Sequence, residues 1–223
     1  MPNRSRPLRR RPPKLKPKPR LLIICEGRVT EPSYFRGLKS EEQVRAVEVI
    51  VDDEGGTPKT LVERAARRMK AARRAAKGAR DQNLRYDEIW CVFDVDEHPK
   101  LNDANQQAKA NNISIAASNP CFELWLLLHF RDQRAWIHRH DAQRACTDFI
   151  RDFEKEINFS EIRERVEDAI KRAIELQRWQ ESRGCPDDNP STNVYRLVQR
   201  LKELSKSMSL KEIQSVQVLG NGS

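Results

Sequence analysis

The chain has 223 residues, of which 34% are charged, and a formal net charge of +9 at pH 7. No apolar run approaches the roughly 18 residues of a membrane-spanning helix, and the basic start lacks the apolar stretch and cleavage site of a secretory signal. Five cysteines without a C-x-x-C pair exclude a disulfide framework and a zinc finger, and place the expected site of action in the reducing cytoplasm.

The charge is concentrated at one end. Residues 1–20 hold nine of the 42 Lys and Arg, six of the 12 Pro, and no Asp or Glu. Beyond them basic and acidic residues balance at 33 each. Such a segment is expected to be disordered and extended by its own charge. It reads either as a nonspecific, salt-sensitive grip on a phosphate backbone or as a solubilising terminus.

After residue 20, strand and helix patterns alternate. Leu21–Cys25 is a short apolar run ended by Glu26 and Gly27, which reads as a buried strand. Thr30 is expected to cap a helix with Glu31 and Pro32 in its first turn and Tyr34, Phe35 and Leu38 inward. Ala46–Val51 is the second strand. Gly55–Gly56 makes a turn, Thr57 caps, and Pro58 starts a helix running to about Lys77. Ile89–Phe93 is the third strand, Lys100–Asn111 a polar helix, and Ile113–Ala117 the fourth strand. Phe122–Phe130 is a helix too apolar to lie in water.

This alternation predicts an α/β fold, a mainly parallel sheet covered by helices. From about residue 132 the spacing turns helical, over Ala142–Lys155, Ser160–Arg178 and Thr192–Ser205. The expected organisation is a basic tail over 1–20, an α/β domain over 21–131, and a helical C-terminal region over 132–223 packed on it.

In parallel α/β sheets ligands bind beyond the carboxyl ends of the strands. Two predicted strands end there in acids: the first in Glu26, the third in Asp94-Val95-Asp96. Extended backbone puts Asp94 and Asp96 on one side. Three gathered carboxylates repel unless a cation neutralises them, and oxygen-only ligands select Mg²⁺ or Mn²⁺. Glu26, Asp94 and Asp96 are therefore the expected metal ligands and catalytic residues. Gly27 lets the backbone turn sharply beside the ion.

The strings ICEGRVTEPSYF at 24–35, VFDVDEH at 92–98, SNPCFELWLLLHF at 118–130 and NPSTNVYRLV at 189–198 resemble the RloB-like family. That resemblance implies a Toprim-type domain in which a strand-end Glu and a D-x-D motif bind Mg²⁺ for phosphoryl chemistry. Glu26 matches the Glu, and Asp94 and Asp96 match the D-x-D. It further implies a nuclease-like effector of phage defence encoded beside an ATPase partner. No topoisomerase tyrosine domain or primase zinc module is evident.

Other residues carry two readings each. Glu31 is a helix-dipole acid or a further metal ligand. His98 is a surface histidine or a proton-transfer group. Asn119 lies at the same expected edge. Glu123 interrupts an apolar helix, and a buried carboxylate needs a metal or a partner, so it joins the expected catalytic set. Arg64, Arg67, Arg68, Lys70, Arg73, Arg74 and Lys77 form a solvated helix face or a backbone grip. The segment from Gly55 to Thr60 lacks the phosphate-loop spacing and reads as a capped helix start. Trp90, Trp125, Trp136 and Trp179 lack the spacing of a base-stacking platform and read as core or interface. The expected function is Mg²⁺- or Mn²⁺-dependent phosphodiester hydrolysis of RNA (tRNA included) or DNA. The alternative is a noncatalytic sensor or docking subunit of an ATPase complex.

Overall fold

A computed structural model describes residues 19–44, 47–51, 57–95, 101–151, 153 and 157–206. The basic tail up to residue 18, the expected Gly55–Gly56 turn, Asp96, His98 and the last residues lie outside these.

Five strands form one sheet in the order β2-β1-β3-β4-β5, where β1 is Leu21–Cys25, β2 Val47–Val51, β3 Glu88–Asp94, β4 Ser114–Asn119 and β5 Ser191–Thr192. The first four are parallel, and β5 runs antiparallel to β4. Every residue of β1 is buried, as expected of a central strand covered on both faces. Alternation then splits its side chains. Leu21, Ile23 and Cys25 enter the larger core, and Leu22 and Ile24 the smaller one.

The smaller core lies under α2 (Pro58–Ala79) and α3 (Leu101–Asn111). Thr57 caps α2 as expected, its Oγ1 accepting from Thr60 N at 3.4 Å. Leu61, Val62, Ala65, Ala66, Met69 and Ala76 face the sheet, while Arg67, Arg68, Lys70, Arg73, Arg74 and Lys77 are exposed. Among the described residues no helix is long and apolar enough to cross a membrane.

The larger core lies under α1 (Thr30–Glu41), α4 (Glu123–Leu127), α5 (Arg139–Thr147), α6 (Val166–Ser182) and a further helix, α7, over 194–206. Its centre is the Tyr34 ring, edge-on to Phe35, Phe122, Trp125, His129 and Phe159. Gly37 admits that packing, because a β-carbon there would overlap the Phe159 ring. At the amino end of β3, Arg200 of α7 clasps Glu88, with Nε 2.8 and 3.0 Å from its two oxygens.

Several boundaries differ from the sequence expectation. Thr30 is not a cap: Val29 holds that position and its carbonyl takes the first helical bond from Ser33. The apolar helix shrinks to Glu123–Leu127, followed by turns through 130. The helix expected over 142–155 starts at Arg139, capped by His138, and ends at Thr147. Two 3-10 turns, Phe159–Glu161 and Arg163–Arg165, replace the start of the next. Ser191–Thr192, expected to lie at a helix start, instead forms the fifth strand: Ser118 and Thr192 hydroxyls pair at 2.8 Å and Asn193 Oδ1 accepts from Ala117 N at 2.7 Å.

Candidate active site

The carboxyl ends of β1, β3 and β4 bring acids together. Glu26 follows β1, and its N–H bonds Val92 O at 3.0 Å, extending the β1–β3 ladder to the sheet edge, where Glu26 is half-buried. Asp94 ends β3, and Val95 N–H bonds Ser118 O at 2.9 Å, holding the β3 end against β4. The chain leaving β4 crosses cis Asn119–Pro120 and enters α4 at Glu123, which is 7% exposed although carried by a helix of otherwise apolar residues. Glu31, in the first turn of α1, is 6% exposed.

Glu31, Asp94 and Glu123 line one pocket of about 260 Å³ with Gly27, Arg28, Arg139 and others. Burial pushes the Glu31 carboxyl up to about 7, and the charges of Glu123 and Glu26 push the same way, against backbone hydrogen bonds from Glu31 and Gly27. Asp94 is likewise held well above the usual carboxylate range, by burial first and then by Glu31 and Glu123. Two groups oppose that rise: Arg139, whose Nη2 lies 3.8 Å from Asp94 Oδ2, and Phe122 N–H, which donates to Oδ1 at 2.9 Å. These acids therefore sit within each other's fields and strain against sharing the site as anions.

The thiols nearby are not nucleophiles. Burial and the Glu123 charge push Cys121 and Cys146 far up, so both stay protonated. Asn119 points away, donating to Asp187 O at 3.0 Å.

An all-oxygen donor set suits a hard divalent cation, which would relieve the mutual repulsion. Among the described residues no three His, Cys, Asp or Glu are arranged to hold a metal ion by themselves. Asp96, the third expected ligand, lies outside those residues. The structure thus joins Asp94 to Glu31 and Glu123, with Glu26 felt electrostatically at the edge. Arg139 and Gln143, also in the pocket, were not legible in the sequence. They arrive from α5, outside every strand-end motif.

Fold and site together define a mainly parallel α/β protein with a strand-end carboxylate pocket. The family model of RloB-like proteins matches residues 21–201, so the chain belongs to the RloB-like family. Searches of curated proteins and of solved structures return no match.

Proposed function

We propose that the protein is a Mg²⁺- or Mn²⁺-dependent phosphodiesterase acting on nucleic acid, a Toprim-type effector of phage defence that works with an ATPase encoded beside it. The observation that carries this reading is the pocket lined by Glu31, Asp94 and Glu123 beside Arg139, where burial and the neighbouring acids raise the proton affinity of Glu31 and Asp94. Clustered acids that resist joint ionisation are costly to fold and suit a site that a cation completes.

Each side chain has a task in this reading. Asp94 is oriented by Phe122 N–H on one oxygen, which leaves the other toward Arg139 and the pocket. Glu26 and Asp96 complete the ligand set from the strand ends. Gly27 leaves room for the Glu31 carboxylate. Arg139 offsets the acids and, in this reading, meets the scissile phosphate, for which a guanidinium is suited. A divalent cation held by these acids would supply Lewis-acid charge for phosphoryl chemistry.

The hydrogen bond and ion pair on Asp94 also favour a second reading, in which the acids are structural and the chain is a noncatalytic docking subunit. Labelled RNA and DNA incubated with pure protein in EDTA, Mg²⁺ or Mn²⁺, with and without the ATPase, decide between them. Metal-dependent cleavage that Asp94→Asn abolishes supports the enzyme; no cleavage in any arm supports the docking subunit.

A further inference from the structure

We propose that Trp136, continued by His138 and His140, is a stacking platform for the bases of single-stranded nucleic acid. Beside it, Arg139 takes the strand's phosphate toward the acidic pocket. The inference rests on nucleic acid being the substrate class.

Trp136 is 68% exposed, whereas Trp125 is fully buried and Trp90 nearly so. That exposure is built into the loop. The neighbouring Ile137 is buried, and its backbone is clamped from both sides by Asn189: Ile137 N–H donates to Oδ1 at 3.2 Å and Nδ2 donates to Ile137 O at 2.8 Å. Gln133 Nε2 adds a bond to Ala135 O at 2.7 Å. Asn189 opens the NPSTN segment, for which the acidic pocket has no use.

With Ile137 pinned inward, side chains alternate through the segment. Ile137 joins the core and Arg139 reaches Asp94, while Trp136, His138 and His140 are exposed. Their rings form a row, with centroids 6.2 Å apart between Trp136 and His138 and 5.1 Å between His138 and His140. Arg131 and Arg134, also exposed, share the segment. An indole in a row with two imidazoles, on a segment that also carries exposed arginines, suits base faces and phosphates rather than an apolar protein surface. Stacking reads any base but requires unpaired ones, which selects single strands.

The test is fluorescence anisotropy of the full chain in EDTA, with a fluorescein-labelled oligouridylate, an oligothymidylate and a duplex of equal length. Trp136→Ala is expected to bind both single strands about tenfold more weakly. Trp136→Phe should keep most of the affinity. Duplex binding should stay within about twofold, and the salt slope should not change because no phosphate contact is removed. An unchanged melting temperature confirms that the exposed site is not a fold determinant. Wild-type affinity of Trp136→Ala for single strands, or an equal loss on duplex, overturns the platform. So does a change in oligomeric state at unchanged oligonucleotide affinity, which would make the indole a protein contact. Metal-dependent cleavage indifferent to Trp136→Ala sinks the platform and spares the nuclease. Trp136-dependent binding with no cleavage in any metal does the reverse.

Discussion

The Glu31 carboxylate lies so close over Gly27 that any side chain at position 27 would overlap it. The pair joins the turn after β1 to the first turn of α1, and the Gly27 backbone hydrogen-bonds to that carboxylate. Glycine is required here by close approach, not by an unusual backbone conformation.

Gly27→Ala should therefore displace the Glu31 carboxylate from its buried seat. The overlapping atoms are the end of a flexible side chain, so the fold survives at a cost of about 1 kcal/mol. Activity should fall by at least about tenfold, because the acid no longer faces Asp94 and Glu123. Parallel melting and cleavage assays check this; a variant with full activity would remove Glu31 from the site.

A second prediction concerns pH and Glu31. Its carboxyl titrates near 7 in the folded protein against 4.5 ordinarily, so the folded state holds the proton more tightly. The stability this gives is complete below about pH 4.5 and is lost as pH climbs through about 7. Glu31→Gln should therefore gain melting temperature over wild type as pH rises from about 5 to about 8. A constant difference across that range would contradict the placement of Glu31 among buried acids.

His129 behaves in the opposite sense. It is fully buried, with Nδ1–H donating to Trp125 O at 3.0 Å and Nε2 accepting from the Tyr34 hydroxyl at 3.3 Å. Burial lowers it from 6.5 to about 4, so the unfolded chain binds the proton first. Its stabilising share is present above pH 6.5 and disappears as pH falls toward 4, about 3 kcal/mol in all. His129→Phe should be less stable at neutral pH by about 1–3 kcal/mol, since the Tyr34 hydroxyl loses its acceptor. Denaturant unfolding of both proteins should show that gap closing with acid, and a gap independent of pH would refute the buried neutral imidazole.

How much of this was legible in the sequence follows from what is local. Each parallel strand is a short apolar run, and Thr57-Pro58 is a cap and first turn that needs nothing beyond its own neighbours. Asp94 and Glu123 stood out because each interrupts or ends such a run. β5 was not legible, since two residues carry no period and its strand character comes only from Ser118, Ala117 and Asn119 across the sheet. Arg139 was hidden for the same reason. Its ion pair with Asp94 spans a separation that only the packing of α5 on α4 closes. Trp136 reads in sequence as core or interface, and the burial of Ile137 beside it turns the indole outward.

The last prediction separates a cation site from a structural cluster. Asp94 is held well above the usual range by burial and by Glu31 and Glu123. Asp94→Asn removes one negative charge while keeping an oxygen that still accepts from Phe122 N–H. Without metal the variant should melt at the wild-type temperature or above it, because repulsion is relieved and only the long 3.8 Å contact with Arg139 is lost. With Mg²⁺ the wild type should rise by mass action, by about 2.7 kcal/mol of stability at a hundredfold excess over the dissociation constant. The variant should rise far less and lose cleavage. A structural cluster gives the reverse: Asp94→Asn is less stable whatever the metal, because the ion pair and the charge-assisted hydrogen bond are what the acid contributes. Melting curves of both proteins in EDTA and in Mg²⁺ decide the matter. A wild type that ignores Mg²⁺, beside a variant destabilised in EDTA, would end the metal-site reading.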